Sequence, residues 1–434
     1  MKLWLRWLTP AVGGMALIWS VSFIQGQAAQ TRGATPAPAA QTAARGAQPA
    51  AAPASGVTSS GTCTPASLTG SGRGAVNGAQ TKAGVYFKNV CSSTLKELTV
   101  DDFIASMGVI SAALGYDCAD CHPDAGTDKV NFAIDSPMFP QKKTARRMIE
   151  MVADINSRHF AGLQNVTCWT CHRQQERPAT SIALDHLYES PNVEDPDIAF
   201  PNIPGKPTAE QILDKYIQAV GGAQRLAGLT SFVATGISEG YGGFGGNGDY
   251  TVYAKSPNQR TTIIAFKDHP ERGTSVWTIN GTRGWIKTPR GFLPQFELVG
   301  EELAGEQLEA MMAFPGQIKK VMPTWRTGLS RVIDNKDYQI VQGFGPKGIY
   351  KDELITLFFD PDTGLLRRMI RYGTSPVGRV PVQTDYLDYR DVGGIKFPFE
   401  FKFSWLDGKY NAKIKEIKTN VTIEASRFGE AALK

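Results

Sequence analysis

Four of the six cysteines in this 434-residue chain fall in two copies of one five-residue pattern. The copies are Cys118-Ala-Asp-Cys121-His122 and Cys168-Trp-Thr-Cys171-His172. Both read C-x-x-C-H, which is the attachment pattern of a c-type haem. Two thiols on one short turn reach the two vinyl groups of one porphyrin, and the adjacent histidine is placed under the iron as an axial ligand. The sequence therefore predicts two covalently attached haems.

Other uses of paired cysteines fit this spacing less well. A thioredoxin-like C-x-x-C pair follows a strand, whereas a helical pattern precedes each motif here. A zinc ribbon has about 15 to 20 residues between its pairs, but 46 residues separate Cys121 from Cys168. A structural disulfide within one C-x-x-C is strained and uncommon. We therefore assign all four cysteines to thioether bonds.

The N-terminus has the layout of a secretory signal peptide. Lys2 and Arg6 precede an apolar stretch over 11–24, and small residues follow up to Ala28. We expect cleavage there and export to the periplasm, with an uncleaved membrane anchor as the alternative. In an oxidising compartment the remaining cysteines, Cys63 and Cys91, are expected to form a disulfide, with two free thiols as the alternative.

Composition and charge divide the rest of the chain. Residues 62–205 carry 12 Lys and Arg against 16 Asp and Glu, whereas residues 206–434 carry 30 against 25. Opposite net charges predict two domains, and neither is basic enough to indicate nucleic acid. The predicted segments are a signal peptide over 1–28, a disordered Ala/Pro-rich tether over 29–61, a dihaem domain over 62–190, a linker over 191–206 and a β domain over 207–434.

Each haem iron needs a second axial ligand besides the motif histidine, His122 or His172. Thr99 opens a helical pattern with a capping box and Gly115 ends it, which places Met107 on the apolar face. Met107 precedes the first motif by 11 residues, so a tight reversal brings the haem against that face. This position favours Met107 as an iron ligand.

A similar helix is predicted before the second motif. Thr144 is expected to cap it, and Met148 and Met151 both fall on its apolar face. From the residues alone, either methionine qualifies as the second ligand. Four basic residues near the start of this helix are expected either to neutralise haem propionates or to form a solvated surface: Lys142, Lys143, Arg146 and Arg147.

Taken in order, these motifs resemble the cytochrome subunit of photosynthetic reaction centres over about residues 84–178. The resemblance implies that Met107 ligates the first iron and Met148 the second, while Met151 has no ligand role. It covers the first half of a tetrahaem family, and Gly162 stands where that family has a histidine for another haem. We therefore do not expect photosynthesis itself. The matching runs are Phe87-Lys-Asn-Val90, Phe103-Ile-Ala-Ser-Met107, Cys118–His122, Ala145-Arg-Arg-Met-Ile-Glu-Met151, Ile155-Asn156 and Val166–Arg173.

Beyond the linker, the apolar period changes to two. One helix is predicted over 208–220 and a helical stretch over 300–314. The glycine run over 240–248 is expected to be a hairpin loop, because no helix follows it. Short segments rich in β-branched and aromatic residues predict strands over 230–239, 249–254, 260–266, 275–279, 284–288, 338–343, 354–359, 365–372, 382–389, 397–405 and 413–423.

The predicted fold class is α+β: a small, mostly helical dihaem cytochrome c domain, then an antiparallel, strongly curved β-sheet domain with a helical insertion. The β half is weakly similar to periplasmic lipoprotein-carrier folds. The similarity implies a concave face for a lipid, a quinone or another protein, with a docking or spacer domain as the alternative. The runs concerned are 354–360, Gly364-Leu-Leu-Arg-Arg, Tyr386-Leu-Asp-Tyr and Gly394-Ile-Lys-Phe-Pro.

The sequence predicts a periplasmic dihaem electron carrier that exchanges electrons with redox partner proteins, in solution or in a membrane-associated complex. One alternative is a dihaem oxidoreductase, such as a peroxidase, with one open iron. Another is a redox sensor in which the β domain binds the ligand. No nucleophile triad or phosphate-binding loop is recognisable, so a carrier is favoured over a catalyst.

Overall fold

The computed structural model describes residues 56–64, 81–127, 129–138, 140–181, 205–240, 247–266, 273–288, 295–327, 330–345, 355–406 and 408–434. All of them belong to one compact unit, Pro53–Lys434. The predicted signal peptide, the tether up to residue 55, the linker up to residue 204 and the glycine run over 241–246 lie outside the described residues. Within the described part of the chain, no helix is long and apolar enough to span a membrane.

The described part of 81–181, called the haem segment below, contains the helices α1 (Ala83–Tyr86), α2 (Val100–Leu114), α3 (Cys118–Cys121), α4 (Gln141–His159) and α5 (Cys168–His172). The Thr99 hydroxyl accepts the Asp102 backbone N–H at 3.1 Å, and Gly115 ends α2 with a φ of 67°. Both predicted ends of α2 are confirmed. The prediction that Thr144 caps α4 is wrong. Pro140 precedes the helix with a φ of −70°, which is compatible with a helix. The Pro140 carbonyl accepts the Thr144 N–H, so Thr144 already lies inside the helix.

Cys63 and Cys91 form a disulfide, with their Cα atoms 5.5 Å apart. The buried guanidinium of Arg146 on α4 donates to the carbonyl oxygens of Gly61 at 3.1 Å and of Asn89 at 3.4 Å. Both carbonyls lie close in sequence to the bridged cysteines. The disulfide segment is therefore bound to α4.

The remaining described elements form the β part of the molecule. Its helices are α6 (Ala209–Ala219), α7 (Ala223–Ala227), α8 (Gly300–Met312) and α9 (Ile318–Val321). Short 3-10 turns lie at Pro315–Gln317, Ala425–Arg427 and Gly429–Leu433. The strands are β1 (Ser231–Glu239), β2 (Asn247–Lys255), β3 (Gln259–Ala265), β4 (Thr274–Asn280), β5 (Arg283–Lys287), β6 (Gln295–Glu297), β7 (Thr324–Thr327), β8 (Arg331–Ile333), β9 (Lys336–Phe344), β10 (Ile355–Phe359), β11 (Leu366–Ser375), β12 (Gly378–Val392), β13 (Ile395–Trp405) and β14 (Gly408–Thr419).

The described strands form one antiparallel sheet of fourteen strands, in the order β6-β5-β4-β3-β2-β1-β14-β13-β12-β11-β10-β9-β7, with β8 paired to β9. The first and last strands meet in its middle, where Phe232 lies opposite Thr419. The order begins at β6 and ends at β7, so the sheet is open among these strands. The large antiparallel sheet with a helical insertion confirms that part of the predicted fold class.

The sheet curves around α8. This helix contacts β3, β4 and β5 on one side of the sheet's centre and β11 on the other. Seven strands lie between β5 and β11 in the strand order, which in a flat sheet separates them by about 38 Å at about 4.8 Å per strand. A helix with side chains is only about 10–12 Å wide. One helix can touch both strands only because the sheet wraps around it.

Several apolar clusters connect the helices to the sheet. The main core packs α6, α7 and α9 against the sheet, and its buried members run from Ala209 to Ile414. A second cluster joins the haem segment to the sheet, because residues of α2 and α4 pack with residues of the hairpin between β11 and β12. Its buried members are Leu95, Val109, Ile149, Val377 and Val380.

Candidate haem sites

The two C-x-x-C-H motifs form short helices that begin in the same way. In α3, the Asp117 carboxylate accepts the Asp120 backbone N–H and the Asp120 carboxylate accepts the Asp117 N–H. In α5, Thr167 and Thr170 make the same reciprocal pair. Such a capping box satisfies the free amides at a helix start. Because positions i and i+3 share one helix face, each box holds the two thiols of its motif on the same side.

His122, which follows α3, has a half-buried imidazole ring. Its ring lies beside Phe132, with the two centroids 5.1 Å apart. Its Nδ1 atom is buried without a hydrogen-bond partner among the described residues. Burial, together with the positive charge of Lys142, lowers the pKa of His122 to about 4. The imidazole is therefore neutral near pH 7, which is the form that binds metals.

His172, the last residue of α5, is oriented by a backbone carbonyl. Its Nδ1 atom lies 3.0 Å from the carbonyl oxygen of Gln175. A carbonyl oxygen can only accept a hydrogen bond, so Nδ1 carries the proton and Nε2 keeps its lone pair. Histidines that bind metals are commonly held this way. The ring thus presents Nε2 as the ligand atom.

Two of the four motif thiols, those of Cys121 and Cys168, have the protonation state of unreactive cysteines. Burial raises the pKa of Cys121 to about 11, with a further contribution from the charge of Asp120, and burial raises that of Cys168 to about 11. Attacking thiols of redox pairs have lowered pKa values instead. These thiols therefore stay protonated near neutral pH, which argues against the thioredoxin-like alternative.

The structure places the candidate methionines on helices that contact the motifs. Met107 on α2 packs against the second cluster, as does Cys168 of the second motif. On α4, Met148 is half-buried, whereas Met151 has 42% of its surface exposed. Helix α2 packs against α5, which carries the second motif, and α4 contacts α3, which carries the first. These contacts cross the pairing predicted from the resemblance, which joins Met107 to the first motif and Met148 to the second. Of the two methionines on α4, Met148 has the more protected position.

Two of the four basic residues near the start of α4, Arg146 and Lys142, hold a loop. Arg146 makes two 2.9 Å bonds to the two carboxylate oxygens of Asp135. Lys142 donates to two carbonyl oxygens of the same loop, at 2.9 and 2.7 Å. This loop carries Phe132, the neighbour of His122. The other two basic residues, Lys143 and Arg147, are half-buried and exposed, respectively.

A buried amide on α4 fixes the approach to the second motif. Asn156 donates through Nδ2 to the carbonyl oxygen of Val166 at 2.7 Å. Its Oδ1 accepts the N–H groups of Asn165 at 3.2 Å and of Val166 at 2.9 Å. We did not predict this role from the sequence. A polar residue among the apolar positions of α4 is the signal that points to it, because buried amides need partners.

The surroundings of the motifs fit a large apolar prosthetic group. Seven of the nine large apolar side chains that are exposed among the described residues lie in the haem segment, which holds a minority of those residues. A concentration of exposed apolar side chains in one segment is what a segment that binds a large apolar group needs. The haem segment also contains the cysteines, histidines and methionines that a c-type haem requires, so its residues fit this group. The seven are Val85, Phe132, Ile134, Met138, Met151, Leu163 and Trp169.

A cavity of about 470 Å³ lies between α2 and the side of the sheet that faces α8. A buried ion cluster forms one wall: Glu309 accepts from Arg260 at 2.9 Å and from Arg371 at 2.9 Å, and Arg371 also donates to Glu306 at 3.0 Å. Burial and the neighbouring Glu309 charge raise the pKa of Glu306 to about 7. Apolar side chains line much of the remaining wall, including Ile104, Trp277, Ile286, Phe296, Leu298 and Trp405, together with a few polar residues such as Asp101 and Thr288.

The haem segment is similar to a known family of cytochromes. The model of the photosynthetic reaction centre cytochrome C subunit family matches residues 35–196. The resemblance predicted from the motifs is confirmed. The matched range contains both C-x-x-C-H motifs and both methionine helices, and the family implies c-type haem binding. A comparison with curated proteins gives no match.

Solved structures similar to part of the chain include two bacterial proteins. One is a LolA superfamily protein from Nitrosomonas europaea, with 14% identity and a TM-score of 0.35. The match covers 52% of this chain and 100% of that one. The other is a DUF1329 family protein from Desulfovibrio piger, with 12% identity, a TM-score of 0.36 and coverage of 52% and 99%.

Proposed function

We propose that this protein is an exported c-type cytochrome that carries two haems and transfers electrons between redox partner proteins. The observation that carries the proposal is the pair of capped C-x-x-C-H helices inside the segment that matches the cytochrome family. The proposed residues are Cys118, Cys121, His122 and Met107 for the first haem and Cys168, Cys171, His172 and Met148 for the second.

A bound c-type haem supplies a one-electron redox centre. The residues of the chain determine its position and its surroundings. The thioethers would fix each porphyrin to its motif helix, and the histidine and methionine proposed for each haem would hold its iron. Apolar side chains such as Phe132 and Trp169 exclude water around the centres. A thioether sulfur as the second ligand raises the redox potential compared with a second histidine.

Carbon monoxide distinguishes a carrier from an oxidoreductase with an open iron. We expect the spectrum of the reduced, full-length protein to stay unchanged when the gas is added, because both irons already have two axial ligands. The Met148→Leu variant serves as the positive control, since it opens one position and is expected to respond. A response of the unmodified protein would favour the peroxidase alternative.

Export is part of this proposal and has its own test. The predicted signal peptide over 1–28 directs the chain to the periplasm, where the haems are attached. The mass of the mature protein from the native host is expected to correspond to a chain that begins near residue 29. An intact N-terminus would indicate a membrane anchor instead.

The cavity beside α2 favours a second function, the binding of an amphiphilic ligand by the β domain. Its size falls within the range of about 300–1,000 Å³ typical of small-molecule sites. Its ion cluster offers donors and acceptors to a polar end, and its aromatic walls suit an apolar body. Calorimetric titrations with a short-chain quinone and with a monoacylglycerol are expected to show binding of one of them. The Ile286→Trp variant, which fills the cavity, should abolish it, whereas Val332→Trp on an exposed strand should not.

A further inference from the structure

The hairpin between β11 and β12 extends from the sheet to the haem segment. It consists of Pro376 and Val377 between the paired residues Ser375 and Gly378. The Ser375 hydroxyl donates to the Gly378 carbonyl at 2.9 Å, which closes the turn. The hairpin therefore has a defined conformation of its own before any contact with the haem segment is considered.

One backbone contact joins this hairpin to the second motif directly. The N–H of Cys168 donates to the carbonyl oxygen of Val377 at 3.0 Å. Cys168 is the first residue of α5, so its amide has no acceptor within the helix. The capping box of α5 uses the amides of Thr167 and Thr170. The hairpin thus supplies the acceptor that the start of α5 lacks. It does so at Cys168, the first of the two thioether cysteines of the second haem.

A second polar contact lies a few residues before Cys168. The side-chain amide of Gln164 donates to the carbonyl oxygen of Ser375. Because Gln164 precedes the motif in the loop that Asn156 also holds, the hairpin and α4 together fix this loop. The approach to the second motif is therefore bound on two sides.

Close packing ties the same hairpin to α2. Val377 is fully buried in the second cluster with Val109 of α2, and Met107 packs against that cluster. A Cβ atom on Gly378 would lie 2.8 Å from Cγ1 of Val109, so the Gly378 backbone packs directly against the Val109 side chain, where only glycine fits. One turn of the β domain thereby contacts the helix that carries Met107 and the helix that carries Cys168.

We propose that the β11–β12 hairpin is part of the haem site, where Val377 positions Cys168 for thioether attachment and holds α2 with Met107 in place. The inference rests on the proposed function, since it takes Met107 and Cys168 as haem-binding residues. Val377 is a positioning residue. The β domain then contributes a structural component to the haem site.

The full-length Val377→Ala variant tests this inference, with Val341→Ala as the matched control. Val341 is also fully buried, but it lies in the main core of the sheet. Both variants lose the same two methyl groups, so both are expected to lose similar stability. Only Val377→Ala is expected to weaken the near-infrared methionine-to-iron band, lower one haem potential and produce chains that lack the second haem.

Amide hydrogen exchange gives a readout that does not depend on the haems. The amide of Cys168 should exchange about two- to tenfold faster in Val377→Ala, the factor that corresponds to one hydrogen bond, and should be unchanged in Val341→Ala. The Val377→Ile variant keeps a branched apolar side chain, so its spectrum and exchange rate should match those of the unmodified protein. If Val377→Ala fails to mature, Gln164→Leu provides the exchange measurement without a change in the core.

The outcomes separate this inference from the proposed function. If the unmodified protein lacks two haems or the methionine band, the proposed function is wrong before any variant is compared. If it has both and Val377→Ala matches Val341→Ala in band, potential, haem content and exchange, the hairpin only packs against the haem segment and the inference is overturned.

Discussion

Replacing Arg146 with methionine tests whether the loop beside His122 depends on one buried ion pair. The guanidinium has 8% of its surface exposed and makes two 2.9 Å bonds to Asp135. It also donates to the carbonyl oxygens of Gly61 and Asn89. Methionine keeps much of the volume but none of these donors. The substitution therefore leaves the Asp135 carboxylate without its principal partner.

The size of the effect depends on the partners that Asp135 retains. Removing one partner of a buried ion pair costs about 3–5 kcal/mol, because the other charge stays buried. Asp135 keeps a 3.0 Å bond from Asn89 and the charge of Lys142 at 3.6 Å. We therefore expect the lower end, a loss of about 3 kcal/mol in the free energy of unfolding.

Urea unfolding followed by haem absorbance measures this loss in the haem segment. Arg158 supplies the control, because it pairs with Asp154 at 2.6 Å on the same helix but is 72% exposed. The Arg158→Met variant is expected to lose less than about 0.5 kcal/mol. Equal losses in the two variants would contradict this prediction, since burial would then have no influence on the cost.

The same pair predicts how stability varies in acid. Burial alone pushes the pKa of Asp135 upward, but the hydrogen bonds and charges of Arg146 and Lys142 outweigh it and leave this pKa below its ordinary value. A carboxyl group with a lowered pKa stabilises the fold above its unfolded pKa of about 4, and this contribution disappears as the pH falls through the lowered value. Arg146→Met should flatten this part of the pH profile.

Two further predictions concern the ligands and the β domain. Met107→Leu and Met148→Leu should each cost less than about 1.5 kcal/mol in stability and remove half of the near-infrared methionine-to-iron band. Met151→Leu should leave the band intact. Loss of the band in Met151→Leu alone would reassign the second ligand. Residues 207–434 expressed alone should unfold cooperatively by circular dichroism, because the buried members of the main core run from Ala209 to Ile414; a disordered fragment would show that the sheet needs the haem segment.

Local signals in the sequence predicted much of the fold. The Thr99 cap and the apolar period of the two helices located α2 and α6 to within a residue. The alternation of apolar and polar residues, together with the short turn sequences between the runs, located most strands. Three strands were missed, β6, β7 and β8, because each has only three or four residues and at most one fully buried side chain. Segments this short show no measurable period.

Contacts between distant parts of the chain had no such signal. The bond from Gln164 to Ser375 joins residues 211 positions apart, and the pairing of β1 with β14 closes the whole β segment. The C-x-x-C-H motifs were recognisable because their chemistry requires adjacent residues. The residues that hold these motifs and the loops beside them, Arg146, Asn156 and Val377, come from other elements and meet them only in the folded chain.

The number of covalently bound haems decides whether this chain is a dihaem cytochrome. The mature protein from a host that attaches c-type haem should be measured by intact mass after acid extraction, which removes haem that is not covalently bound. We predict the mass of the chain plus two haems, since each C-x-x-C-H helix provides two thiols and a histidine. A mass that corresponds to one haem or none would show that the assignment is wrong.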